Sequence, residues 1–336
     1  MTTTLDPPEI RSQTDDDPEY EINPEETNET ASTDSDVRTG GRTLRREMTA
    51  VRLSFHWPGT TKTLTPHQKA TAADAFGATG RSISAGKKLI DTSHPKWKAC
   101  TAVRSQAQKF WTGLTLPWPE PGIRLIRRSD VAGFDGRMRE LQDELSDAAA
   151  ELESEFEQIK AQAADRLGDL FDPGDYPARI AAAFAVAWDF PSVEAPDYLK
   201  TMCPEIYREE QRRVAARFEE AVRLAEAAFA EELSGLVEHL AERLSGADDG
   251  KPKVFRDSAV ENFREFFDRF SRLNVTGAAG LEQVVHHAES LLSGTSAEQL
   301  RSSSSVRRSV SAGLARVQSS LDGLMVDRPR RRVLRG

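Results

Sequence analysis

VAARFEEAVRLAEAAFAEELSGLVEHLAERL, residues 214–244, repeats its apolar residues every eleven positions. Val214, Ala225 and Leu236 form one row. Phe218, Phe229 and Leu240 form a second, and Val222, Leu233 and Leu244 a third. Eleven residues make almost three whole turns of an α-helix, so each row stays on one face. The pattern also occurs upstream, in rows Leu141, Leu152, Ala163; Leu145, Phe156, Leu167; and Ala148, Ile159, Leu170. These stripes predict two helices, about Phe134–Phe171 and about Pro204–Ser245, each on the order of 60 Å long at the α-helical rise. Asp172-Pro173-Gly174 ends the first. Pro204 suits the first turn of the second, with Glu205, Glu209 and Glu210 near its positive dipole end. Equal pitch predicts an antiparallel hairpin over residues 134–246, each helix burying its stripe against the other.

The segment between the helices, 172–203, is more apolar than either arm. Tyr176–Trp188 reads as a short apolar helix, and Pro191 and Pro196 bracket an extended stretch. This tip either folds back as a plug or offers a partner-binding patch of Phe184, Trp188, Phe190, Tyr198, Leu199 and Met202.

Residues 49–130 read as a small basic α+β head. Val51, Leu53, Phe55 and Trp57 alternate with polar residues, the signature of a half-buried strand, and Gly122–Ile126 reads as a second strand. Helices are expected over Pro66–Phe76 and Pro95–Trp111, the latter capped by Thr92 or Ser93. Gly80–Lys88, GRSISAGKK, has the wrong glycine spacing for a phosphate-binding loop, lacks the Ser or Thr after its lysine, and follows a helix. Arg81, Lys87, Lys88, Lys96, Lys98, Arg104 and Lys109 cluster around Trp97 and Trp111. Bases beside aromatics can hold single-stranded nucleic acid. The competing reading puts the tryptophans in the core and the lysines in solvent, and their helical spacing favours it.

Residues 254–326 are expected to form C-terminal helices packed as a bundle. Phe255, Phe263, Phe266, Phe267 and Phe270 make an aromatic stripe, read as core or docking surface. Thr295 or Ser296 with Glu298 or Gln299 signals a capping box ahead of Val306, Val310, Leu314, Val317 and Leu321.

Charge divides the chain into four blocks. Residues 1–37 carry −11, 38–136 carry +11, 137–250 carry −15 and 251–336 carry +6, within an overall −9. Residues 1–48 read as a disordered acidic tail, because they offer little to bury. That tail is a solubilising segment or a competitor for the basic head. The terminal VDRPRRRVLRG places Arg328, Arg330, Arg331, Arg332 and Arg335 in a basic tail, 327–336. These arginines suit the protein's own carboxylates or the phosphates of nucleic acid.

No catalytic constellation is legible. His286 and Glu289 make at most a two-ligand pair, and Cys100 and Cys203 match no metal or redox spacing. No cofactor is expected. The absence of a signal peptide and of a membrane-length apolar run leads to an expected cytoplasmic location and no membrane partner.

The segments LTLPWPEPGIRLIRR (114–128) and FDGRMRELQDEL (134–145), followed by the long helices, resemble an uncharacterised bacterial family with a long coiled-coil core, found in mobile-element and plasmid-like settings. The resemblance covers about residues 80–246. It implies a head followed by a hairpin and brings no catalytic residues. The whole reads as a mainly α, non-enzymatic scaffold or adaptor with protein partners or self-association. The alternative is a nucleic-acid-binding protein using the head and the arginine tail.

Overall fold

The computed structural model describes residues 24–244, 258–274, 277 and 279–326. The described chain is mainly helical, with a small antiparallel sheet at its centre. The alternating stretch forms β1 (Met48–His56). On one side β1 pairs with β5 (Ile123–Arg127), which pairs in turn with the edge strand β4 (Thr115–Pro117). On the other side β1 pairs with β6 (Ala185–Asp189), giving the order β4-β5-β1-β6. A separate ribbon joins β2 (Thr61–Thr63) to β3 (Gly86–Lys88). Successive side chains of a strand point to opposite faces. Met48, Ala50 and Leu125 therefore enter one core, while Val51, Leu53 and Ile126 enter another.

The second core is closed by α3 (Pro95–Leu114), α4 (Val131–Ser154) and α5 (Phe156–Leu167). Trp97, Cys100 and Ala107 of α3 are buried there with Phe134, Met138, Leu141, Leu145 and Leu152 of α4. His94, rather than Thr92 or Ser93, precedes Pro95 at the α3 N-terminus. Ser93 instead bonds the Asp91 carboxylate. The short α2 (Pro66–Asp74) starts at a capping box in which Thr65 and Gln68 satisfy each other's backbone N–H.

The first core lies on the opposite face and is organised by α7 (Pro204–Leu244), at 41 residues about 60 Å long. Around α7 pack α1 (Pro24–Glu47), α8 (Ser258–Leu273), α9 (Ala279–Leu292) and α11 (Ser304–Val326), with α10 (Ala297–Ser302) leading into α11. Phe229 of α7 meets Phe266 and Phe270 of α8 edge-on, at 6.1 and 5.1 Å between ring centroids. The expected capping box is Ser296 with Gln299. It opens only the six-residue α10, and the apolar run that follows forms a separate α11.

The two eleven-residue stripes are buried, but not against each other. Leu141, Leu152, Phe156 and Ile159 lie in the core shared with α3 and one sheet face. Val214, Phe218, Phe229, Leu233 and Leu240 lie in the other core, with α1, α8 and α11. The expected antiparallel hairpin over 134–246 is therefore replaced by two helical layers sandwiching a sheet. The first helix is also not one rod. It breaks at Glu155, between α4 and α5, where φ −103° and ψ 1° interrupt the helical path. A buried stripe proves that a helix has a covered face; it does not specify the cover.

The tip is corrected as well. Tyr176–Trp188 is not a helix. A 3₁₀ turn at Pro173–Asp175 precedes it, and the segment itself holds a second 3₁₀ turn at Ala181–Ala183 and then enters β6. β6 supplies hydrogen-bond partners to an edge of β1 that would otherwise lie open. Its pairing sets Leu53 against Trp188 and Phe55 against Val186, with an Arg52–Asp189 fork at 2.9 and 2.7 Å.

Residues 24–47 form α1, against the expectation of disorder through residue 48; residues 1–23 lie outside the described residues. Val37, Gly40, Gly41 and Leu44 are buried at helical spacing, and α1 packs along α7. The acidic composition concealed this narrow stripe. A Cβ on Gly41 would come within 3.3 Å of the Glu219 backbone nitrogen, so the glycine allows close approach of the two helices. Arg45 adds a fork to Glu194, with Nε–Oε1 at 2.9 Å. Gly41→Leu is expected to overpack this crossing, at a cost of about 1–3 kcal/mol. Hydrogen exchange over residues 37–47 should then accelerate strongly; unchanged protection would show that α1 does not dock through Gly41.

Candidate functional site

The basic residues of the head do not form one open surface. Lys87 is buried, with its Nζ 2.5 Å from Asp175 Oδ2 and 2.6 Å from the Leu170 carbonyl. Lys62 pairs with the same carboxylate. Hydrogen bonds from Lys62 and then Lys87 hold the Asp175 carboxyl below the usual carboxylate range. This cluster ties the β2–β3 ribbon to the segment after α5, so Lys87 is not open to a polyanion. Lys96 bonds Glu151 at 2.7 Å, and Lys109 approaches Glu265 at 3.9 Å. Arg104 lies over the rings of Phe55 and Trp57, 5.1 Å from each centroid. Arg81, Lys88 and Lys98 are exposed. Trp97 is buried and packs edge-on to Phe184, as the core reading has it, whereas Trp111 is half-buried with Arg124 over its ring. Arg328, Arg330, Arg331, Arg332 and Arg335 lie outside the described residues.

The tip residues divide into two groups. Phe184 is buried, and Trp188 is half-buried with its indole N–H donated to Asp135 Oδ1 at 2.9 Å. These two plug the core. Phe190 is partly exposed, and its ring lies 6.4 Å from that of Phe134. Tyr198 and Met202 of α6 (Tyr198–Met202) are 65 % and 73 % exposed, and Leu199 is half-buried. Ile206, at the start of α7, is 48 % exposed. Tyr198, Met202 and Ile206 are exposed apolar side chains on either side of the α6–α7 junction, where Cys203, at φ −146° and ψ 80°, interrupts the helix. Cys203 is free and exposed there.

A third feature was not anticipated. At the β4 edge of the sheet, where α3, α7 and α8 converge, a cleft of about 250 Å³ is lined by Thr112, Thr115, Arg124, Phe229, Glu232 and Arg269, among others. Arg124 donates from Nε to Thr115 Oγ1 at 2.7 Å and from Nη2 to the Thr115 carbonyl at 2.9 Å. Its guanidinium lies 5.7 Å from the Trp111 ring centroid. Arg269 pairs with Glu232 and stacks over Phe229 at 5.5 Å. Burial pushes the Arg124 guanidinium down to about 10, with Arg269 adding to the shift, so it stays cationic at neutral pH. One sequence signal pointed here: Arg124 sits inside a strand, on the same face as the buried Ile126. Arg269 and Glu232 gave none, because each reads as an ordinary solvated helix position.

Among the described residues, no group of three or more His, Cys, Asp or Glu is placed to hold a metal ion. His286 and Glu289 approach at 3.5 Å on exposed helix surface. Burial pushes the Cys100 thiol up, away from the reactive thiolate. No helix among the described residues is long and apolar enough to cross a membrane. No family model, curated protein or solved structure matches the chain.

Proposed function

We propose that the protein is a non-enzymatic scaffold or adaptor that assembles through the α6–α7 junction. The exposure of Tyr198, Met202 and Ile206 at this junction carries the reading. Three large apolar side chains stand in solvent around one helix junction, at a hydration cost that a partner surface would relieve. The occupant it fits best is a second copy of the chain. Residues 197–213 hold four acids and four bases, although the chain carries −9 overall. Two copies can therefore meet here without net like-charge repulsion, about a two-fold axis that sets the same patch against itself.

The nucleic-acid alternative has less support. Of the seven clustered head bases, Lys87 is buried against Asp175, Lys96 and Lys109 approach Glu151 and Glu265, and Arg104 lies over aromatic rings, while Arg81, Lys88 and Lys98 are exposed without an acidic partner among the described residues.

Sedimentation of the full chain tests the proposal. A dimer is expected at micromolar concentration, with Met202→Asp shifting it to monomer at unchanged circular dichroism. Mild oxidation should link the dimer through Cys203. A chain that stays monomeric throughout this range, or a dimer indifferent to Met202→Asp, would overturn the assignment.

A further inference from the structure

We infer that the cleft between β4, α7 and α8 is a binding site for a small oxyanion, a carboxylate or phosphate group, gripped by Arg124 and Arg269. The inference is independent of the α6–α7 junction and of self-association.

The argument begins with charge. Arg124 and Arg269 bring two positive charges to one cleft, and Glu232 supplies one negative charge, already paired with Arg269. The site thus carries about one uncompensated positive charge. Arg124 has no carboxylate partner among the described residues; it bonds one hydroxyl and one carbonyl, both of Thr115. Those bonds use Nε–H and one proton of Nη2. Both Nη1 protons and the second Nη2 proton remain for an acceptor. A planar guanidinium with a free edge matches the two oxygens of a carboxylate or phosphate.

The surroundings hold that edge in place. Thr115 is buried, and its hydroxyl donates to the Trp111 carbonyl at 2.6 Å while accepting from Arg124. Trp111 lies against one guanidinium and Phe229 against the other. Both cations are thus fixed before any ligand arrives, so a ligand meets a largely prepaid ordering cost. A partly desolvated arginine beside a second arginine is also the arrangement that an anion stabilises most. The volume admits a ligand of several heavy atoms, well above a single water's share of about 30 Å³.

Glu232 has a defined place in this site. Its carboxylate occupies Arg269 when the cleft is empty and competes with the incoming anion. Removing its charge should therefore strengthen binding, an effect that a purely structural Arg269–Glu232 pair would not produce.

The test uses the full chain at constant ionic strength, with inorganic phosphate and succinate as separate calorimetric titrants against a chloride background. Saturable binding with one site per chain is expected for at least one titrant, and which one binds distinguishes phosphate from carboxylate as the natural group. Arg124→Gln should weaken that binding by about tenfold or more, in line with losing charge-assisted hydrogen bonds. Glu232→Gln should tighten it by about tenfold, because Arg269 becomes available. If Arg124→Gln does not fold, Glu232→Gln decides the matter. The inference fails if neither titrant binds saturably, if Arg124→Gln folds and binds normally, or if Glu232→Gln leaves affinity unchanged.

Discussion

Leu141→Ala and Leu233→Ala should each lower the stability of the folded chain by about 2–5 kcal/mol, and the double variant by their sum. Both side chains are completely buried, so each truncation loses transfer free energy and leaves a cavity. Leu141 lies in the core of α3, α4 and one sheet face, and Leu233 in the core around α7. Side chains in separate cores share no cavity and contribute independently. An antiparallel hairpin would instead press the two stripes together and make nearby pairs couple by about 0.5–3 kcal/mol. Urea unfolding of wild type, both single variants and the double variant in one chloride buffer measures the coupling directly. A coupling well above about 0.5 kcal/mol would contradict the sandwich.

Asp175→Asn should destabilise the chain by about 3 kcal/mol at neutral pH, the low end for stripping one partner from a buried pair. Lys87, at 5 % side-chain exposure, would lose its carboxylate partner and keep only the Leu170 carbonyl, whereas Lys62, at 53 %, can turn to water. The loss should have a characteristic pH profile. Lys62 and Lys87 depress the Asp175 carboxyl in the folded state, so its stabilisation is complete above the unfolded value of about 3.9. That stabilisation disappears as pH falls through the lower folded value. The gap between wild type and Asp175→Asn should therefore be constant near neutrality and close below about pH 4. A gap that persisted unchanged into strong acid would mean that Asp175 acts through packing and not through charge.

Local periodicity was legible in the sequence wherever neighbours along the chain determine the structure. The alternation from Val51 to Trp57 marks β1, the spacing of Trp97, Cys100 and Ala107 marks α3, and Ser296 with Gln299 marks a helix start. Most members of the two eleven-residue stripes lie on buried helical faces, although Ala148, Leu167, Leu236 and Leu244 are half-buried and Leu170 sits in a 3₁₀ turn. Each of these signals arises within a few residues, from side-chain alternation, helical repeat or capping.

Tertiary structure decided which faces meet. A stripe of leucines is equally satisfied by a sister helix or by a sheet and its neighbours, because apolar burial has no direction. The open edge of β1 turned AVAWD, residues 185–189, from an apparent helix into β6. α7 gave Val37, Gly40, Gly41 and Leu44 a surface to cover, and an acidic segment became α1. Arg124 and Arg269, far apart in sequence, share a cleft because α8 packs on α7 beside the sheet edge. Periodicity reports that a face must be covered, but the long-range competition among all such faces selects the cover.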